Sequence, residues 1–544
     1  MSFSYWEQKY SIMAKNPLWL FVLVRLLSVF IIQTWFVADE FWQATEIAHH
    51  LVFGYGYQTW EWQEGIRSVL YPAVLASIYK LLALVGLEYP FLLIHVPRVF
   101  HALAFAAGDY HIWKLSGMLY GKASAHWTAI CLMTSWFLEY CAPRTLTSCA
   151  EMVSLSVALC QYPWRKQKGS CESGYLWLVG IACAVRPTAA IPFIPLCLQH
   201  LWFTHSKMWL LFKYIVIIVA VGVMSVGLDT WYYGELVVVP WRFAHFNALS
   251  GLASHYGVLP WHWYVTQGLP ATLTTHLLPF MLAALFYPNR HKELLSICLW
   301  SVIVYSCLGH KEFRFLLPIL PLCLCIAGDL IAYELTSYSK RKTQLSKYKS
   351  VAGFSLLIIP NLLSVLYLGL VHQRGPLDTM TVLQHDTPSH KSNVLFLMPC
   401  HSTPYYSHIH KNVTMRFLTC EPNLQQKENY LDEADIFEQD PLNWLHQEYG
   451  NTYSTLKEQV RVSGMNRDPV NTSDFGEYSE LNNSSSKFSQ STYNDMPSHI
   501  VLFDVLKVKI ENFLLEHHYQ LCHEIFHAHI EDGRRSKYIL IYCK

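Results

Sequence analysis

Two short clusters in this sequence combine side chains that could exchange a proton with side chains that could hold an anion. The first is Asp39-Glu40-Phe41-Trp42-Gln43, two adjacent carboxylates placed directly after the apolar run Leu18 to Val37. It leads into the polar-aromatic stretch Phe53-Gly-Tyr-Gly-Tyr-Gln-Thr-Trp60-Glu61-Trp62. A carboxylate at a membrane surface can take a proton from a sugar hydroxyl, and the loop beside it can hold the sugar. The second cluster is His310-Lys311-Glu312-Phe313-Arg314-Phe315, between two further apolar runs. Lys311 and Arg314 are three apart and share a face if the following segment begins as a helix. Together with His310 they could hold a phosphate, lysine as a point charge and arginine bidentately. Each pattern also has a plainer reading. Acids commonly mark the end of a membrane helix, and Glu312 could close a salt-bridged helix cap.

The elements that must position these residues are membrane helices. The chain has 544 residues, 52% hydrophobic, with only 15% Asp, Glu, Lys and Arg. A soluble protein of this length carries more charge. About eleven apolar segments approach the ~20 residues needed to cross a bilayer, some of them as half-crossings. They lie near 18–37, 69–87, 92–112, 123–141, 146–161, 175–199, 209–229, 270–287, 293–308, 314–334 and 351–371. The first is longer than a signal-peptide core, contains Arg25 and lacks a small-residue cleavage site, so it reads as a retained span. A net charge of +1 argues against a nucleic-acid partner.

Basic residues orient the spans. Lys9 and Lys15, Arg290-His291-Lys292, and the run from Ser339 to Lys349 are placed on the cytosolic face by the positive-inside rule. Asp39 and everything after Val371 then lie opposite. Arg165, Lys166 and Lys168 also look cytosolic, which conflicts with simple alternation and implies that one middle segment is not a full crossing. Arg98, Asp109, Arg144, Glu151 and Arg186 sit in or beside apolar runs, where structural ion pairs between helices are the favoured reading. Arg25 could snorkel or reach a phosphate. The stretch Trp231 to Leu269, dense in aromatics, His and Pro, reads as an interfacial loop.

Two domains are expected: a membrane body over 1–371 and a polar α/β tail over 372–544. Strands are predicted at 394–398, 499–503 and 538–542, with a helix over 507–519 and a flexible insertion near 448–496. Of fifteen cysteines, Cys400, Cys420, Cys522 and Cys543 lie outside the apolar runs and could form disulfides whose pairing sequence leaves open. Asn412, Asn471, Asn482 and Asn483 head glycosylation sequons, in agreement with a tail opposite the cytosol.

With both clusters in view, the chain resembles the family-22 glycosyltransferases of the endoplasmic reticulum, which use dolichyl-phosphate-mannose. Further matching stretches are Pro143-Arg-Thr-Leu-Thr147, Trp231-Tyr-Tyr-Gly234, Pro260-Trp-His-Trp263 and Met398-Pro-Cys-His-Ser-Thr-Pro-Tyr-Tyr406. The resemblance runs from about Trp19 into the tail. One departure is Val37-Ala38, where the family often has His-Pro before the acidic pair.

The resemblance implies a multi-pass GT-C fold and transfer of the third, α-1,2-linked mannose onto the glycosylphosphatidylinositol (GPI) core. Inversion by single displacement needs one general base, and Asp39 matches the family's first-loop carboxylate. Glu40, Trp60 and Glu61 are expected to contact substrate, and His310, Lys311 and Arg314 to meet the leaving phosphate. No cofactor beyond the lipid donor and no obligatory metal are expected, and protein partners stay open. A sister enzyme acting on the dolichol-linked N-glycan precursor is the near alternative. A transporter is the distant one, disfavoured because the distinctive residues cluster in loops and no internal repeat is visible.

Overall fold

The computed structural model describes residues 16–164, 174–249, 257–339, 344–388, 392–425, 427–450, 496–531 and 533–544. They fall into two units. One comprises residues 1–384 with Thr403–His410, the other His385–Ser402 with Lys411–Lys544. The division falls at 384/385, two residues before the end of the helix Gly375–Asp386, and a short strap from the tail, Thr403–His410, groups with the first unit.

Helices of the first unit occupy all eleven apolar segments. Those used below are α1 (Leu18–Ile31), α2 (Glu46–Phe53), α3 (Leu70–Leu84), α4 (Pro90–Tyr120), α5 (Lys122–Thr134), α6 (Thr147–Gln161), α7 (Lys207–Tyr233), α8 (Leu320–Ser339) and α9 (Gln344–Leu370). Four described stretches are long and apolar enough to cross a bilayer: Pro90–Tyr120, Lys207–Tyr233, Tyr264–Phe286 and Ser355–Asp386. The protein is a multi-pass membrane protein. The segment near 175–199 is broken. Pro187, which cannot donate a helical hydrogen bond, leaves Arg186 extended between helices of 12 and 14 residues, Gly174–Val185 and Ala190–Phe203. Each arm is shorter than a full crossing requires. Arg165, Lys166 and Lys168 lie outside the described residues, as do Lys9 and Lys15.

The core is built where helices meet closely. α8 packs along α5, and a Cβ on Gly328 would stand 2.6 Å from the Thr128 amide nitrogen, so only glycine permits this approach. Lipid-facing positions such as Trp19, Phe30, Ile218 and Leu363 are exposed, as the apolar outer surface of a bundle requires.

The second unit is a five-stranded sheet: β1 (Asn393–Leu397), β2 (Thr414–Phe417), β3 (His499–Phe503), β4 (Gln520–Phe526) and β5 (Tyr538–Cys543), in the order β2-β1-β3-β5-β4. β1 runs parallel to β2 and β3, while β5 is antiparallel to β3 and β4. The three predicted strands are its buried middle. β2 and β4, which form its edges, lack a continuous apolar run and were not legible. The predicted helix spans Asp504–Glu516 and packs Ile510, Phe513 and Leu514 into the core. Disulfides join Cys400 to Cys420 and Cys522 to Cys543. Asn412 is exposed just before β2, whereas Asn471, Asn482, Asn483 and most of the predicted insertion lie outside the described residues.

Candidate active site

Asp39 is presented by a helix that stops and restarts. α1 ends at Ile31, and the extended segment after it is fastened through its backbone. The Gln33 amide donates to the Gly369 carbonyl at 2.7 Å and the Trp35 amide to Gln373 at 2.9 Å. Arg98 donates to the Ile32 carbonyl, and Arg144 Nη1 to the Thr34 carbonyl at 2.8 Å. The helix resumes at Asp39, with the Ala38 carbonyl accepting from the amides of Phe41 at 3.0 Å and Trp42 at 3.1 Å. Val37-Ala38 therefore start the turn through their carbonyls, without a proline. Phe41–Thr45 then form a π-helical turn, a widened geometry often found at functional sites.

The strap Thr403–His410 holds the far end of this element. The buried Glu46 carboxylate accepts from the Tyr405 amide at 2.8 Å and the Ser407 hydroxyl at 2.6 Å. Trp62 Nε1 donates to the Trp42 carbonyl at 3.1 Å, and Trp42 Nε1 to the Thr403 carbonyl at 3.2 Å. His49 Nε2 lies 3.0 Å from His410 Nδ1. Burial, reinforced by the neighbouring His410, pushes the His49 imidazole down to about 3.

The two sequence clusters meet at one arginine. Arg314 Nη1 donates to Asp39 Oδ2 across 275 residues of chain. Its Nε and Nη2 donate to the two oxygens of Glu312, each at 2.6 Å. His310 Nε2 lies 2.9 Å from Glu312 Oε1. Burial alone would raise the Glu312 carboxyl, but Arg314 and His310 hold it well below the ordinary carboxylate range. The Asp39 side chain remains 24% exposed. Among the described residues no hydrogen-bond partner occupies its Oδ1. Lys311 does not share a face with Arg314, because the residues before Phe313 are not helical. Its ammonium instead donates to the carbonyls of Leu308, Leu259 and Gly309, the last two at 2.8 and 3.4 Å.

Glu40, Trp60 and Glu61 have partners of their own. Glu40 is buried, with Oε2 2.7 Å from Arg144 Nη1, so the expected sugar contact is replaced by an internal ion pair. Consecutive helical residues point about 100° apart, which sends the two members of the acidic pair in different directions. Trp60 is buried against Phe246, ring centroids 5.1 Å apart, in a small cluster with Ile66. Its ring is taken up by packing. Glu61 accepts from Arg67 Nη2 at 2.6 Å and from Gln43 Nε2 at 3.0 Å, which places it beside the turn that carries Asp39.

A cleft opens next to this network, bordered by Gln43, Arg67, Ser68, Thr147, Arg186 and Phe243. Arg67 was not singled out in the sequence, and Arg186 was read as a structural partner for an acid. It does pair with Glu151 at 3.1 Å, yet it also borders the cleft. The signal for Arg186 was the proline after it, which breaks an apolar segment at a charge. Among the other buried charges described, Arg98 donates to a backbone carbonyl and Asp229 accepts from Ser68 and Val69. Arg25 neither snorkels nor reaches a phosphate but lies between Asp109 at 2.7 Å and Glu139 at 2.8 Å.

The Alg9-like mannosyltransferase family model matches residues 16–410, the whole stretch that carries these clusters. The chain belongs to that family. It is 41% identical to GPI alpha-1,2-mannosyltransferase 3 of Danio rerio, over 96% of this chain and 89% of that protein. The human protein of the same name is 38% identical over 96% of this chain and 85% of its own length. GPI mannosyltransferase 3 of Drosophila melanogaster is 37% identical over 94% and 83%. In fold the chain is similar to ArnT from Cupriavidus metallidurans, solved bound to undecaprenyl phosphate. The TM-score is 0.57 over 99% of this chain and 98% of that one, at 11% identity. The architecture is the GT-C glycosyltransferase fold, and the chain is a mannosyltransferase.

Proposed function

We propose that this enzyme transfers the third mannose of the GPI core, in α-1,2 linkage, from dolichyl-phosphate-mannose. The acceptor is the GPI precursor on the luminal face of the endoplasmic reticulum. The acceptor reading is supported by the relatives at 37–41% identity, three of which are named as GPI mannosyltransferases, two of them with the alpha-1,2 linkage. The observation that carries the chemistry is the Asp39–Arg314 contact, which places a partly exposed carboxyl group beside a cationic motif. The acceptor hydroxyl attacks mannose C1 from the face opposite the phosphate. The C1–O bond to phosphate breaks, and the hydroxyl proton passes to Asp39, leaving dolichyl phosphate and an inverted anomeric centre. Arg314 holds one Asp39 oxygen, so the other is aimed at the hydroxyl. A phosphate leaving group departs as an anion and needs cations rather than an acid. No step in this scheme requires a metal, so chelation with EDTA should leave turnover unchanged. The N-terminus is read as cytosolic and the sheet domain as luminal, which glycosylation at Asn412 would test.

The deciding experiment is lipid analysis of cells lacking the protein. GPI intermediates should stall at two mannoses, and wild type but not Asp39→Asn should restore the third. Accumulation of truncated dolichol-linked oligosaccharides would instead select the N-glycan precursor as acceptor.

A further inference from the structure

We propose that Arg67 and Arg186, rather than the residues at 310–314, cradle the phosphate of the lipid-linked donor. The proposal rests on the donor reading above and assigns the atoms that would receive its charge. Counting donors decides between the two sets of cations. An ammonium has three N–H donors, and Lys311 directs its own at three backbone carbonyls. A guanidinium has five, and Arg314 commits all three of its nitrogens to Asp39 and Glu312. Arg314 keeps one further N–H on each Nη, but its fork is pinned on three carboxylate oxygens and cannot swing to a phosphate without releasing Asp39 or Glu312. Lys311 cannot do so without leaving its carbonyls.

Arg67 and Arg186 are differently placed. Arg67 Nη2 binds Glu61, while its Nε is buried without a hydrogen-bond partner among the described residues. Arg186 gives one nitrogen, Nη1, to Glu151. Both border the same cleft, on its two sides in sequence. They come from elements that are otherwise unrelated, the turn before α3 and the break before the helix Ala190–Phe203.

The cleft also adjoins the reacting end of the site. Arg67 lies within electrostatic range of both Asp39 and Arg314. Arg186 stacks over the Phe315 ring at 5.1 Å, next in sequence to Arg314. Gln43, one helical turn beyond Asp39, forms part of the lining. A phosphate in this cleft would place the scissile C1–O bond near Asp39.

The Arg67 backbone is fixed as a binding element would need. The Tyr233 hydroxyl donates to the Arg67 carbonyl at 2.7 Å. Asp229 of α7 accepts from the Ser68 hydroxyl and the Val69 amide, both at 2.9 Å. Gly65 makes the preceding turn at φ +63°, and a Cβ there would stand 2.6 Å from Arg242 Nη1. The positive φ is what favours glycine there, since the end of a flexible arginine side chain can move aside.

The test uses the full-length purified protein in nanodiscs, with dolichyl phosphate as the binding probe and dolichol as the uncharged control. Arg67→Gln and Arg186→Gln should each weaken dolichyl phosphate binding roughly tenfold or more, the scale of one charge-assisted hydrogen bond. Dolichol binding should not change. Arg67→Lys and Arg186→Lys should recover part of the affinity, because charge returns without the planar fork. Arg186→Gln leaves Glu151 unpaired, so the double variant Arg186→Gln/Glu151→Gln, which restores neutrality, must show the same loss. Wild-type affinity in the Arg67 and Arg186 variants, with loss in Lys311→Met, overturns the proposal and leaves the donor reading standing. Failure of the wild type itself to bind dolichyl phosphate overturns the donor reading and this proposal together.

Discussion

Among the described residues of the first unit, two arginines are each set between two carboxylates, and they differ in how far the group is exposed. Arg25 lies between Asp109 and Glu139, with side-chain exposures of 0%, 0% and 11%. Arg314 lies between Asp39 and Glu312, with exposures of 9%, 24% and 21%. Charge composition is the same and donor distances are similar. The difference is the supporting backbone. The Arg25 group joins α1, α4 and the helix Trp136–Cys141, and Arg25 Nη2 closes the arrangement on the Leu132 carbonyl at 3.0 Å. The Arg314 group joins two segments where helices are interrupted, and both of its carboxylates are partly exposed. A buried ion pair specifies packing, whereas a pair opened at one edge retains an oxygen to react.

This contrast can be broken most sharply at its two acids. Asp39→Asn should lower mannose transfer by roughly 10²–10⁴-fold, the range for a general base, while the thermal melt stays near wild type. Unchanged transfer by the purified variant would remove Asp39 from the mechanism. Arg25→Met should do the reverse, costing about 3–5 kcal/mol of stability by leaving buried acids uncompensated. The melting temperature in detergent measures this. Adding Asp109→Asn and Glu139→Gln to that variant should recover most of the loss, which a catalytic role for the triad would not allow.

Smaller changes sharpen the same comparison. Arg314→Lys keeps the charge but not the fork that holds Asp39 and Glu312 at once, and kcat should fall about tenfold. The result that counts against the arrangement is a changed KM for the donor with kcat intact. A weaker effect concerns acid. His49 is held neutral, at about 3 against an ordinary value near 6.5, so its contribution to stability is complete above about 6.5 and declines as pH falls toward 3. His49→Gln should reduce proton uptake on unfolding in that window by about one proton. An unaltered pH–stability slope would show that the His49–His410 contact carries no titration. At the small end, Asn412→Gln should leave transfer by the purified enzyme unchanged, since the side chain is exposed in the other unit.

Much of this was legible in the sequence for definite reasons. Apolar runs mark helices because the bilayer demands internal hydrogen bonding, and each of the eleven coincides with helix. Val394, Ile500 and Ile541 mark the sheet because its central strands are buried on both faces. The edge strands carry no such run. At the site, the two clusters legible from residue chemistry meet through Asp39 and Arg314, while their neighbours in sequence turn elsewhere. Glu40 turns to Arg144, Lys311 to carbonyls and Trp60 to Phe246. Conversely, Arg67 and Arg186 border one cleft although nothing local relates residues from two separate elements.

The sequence by itself determined the membrane class, the helical segments, the identity of the acidic and cationic clusters and the cysteines available for pairing. These follow from residue type and local periodicity, which are short-range properties. Only the tertiary structure decided that Asp39 meets Arg314, that Arg25 is sealed within the bundle and that Cys400 pairs with Cys420. Those outcomes depend on which groups compete for the same hydrogen bonds once the chain has folded, and that competition is settled across hundreds of residues.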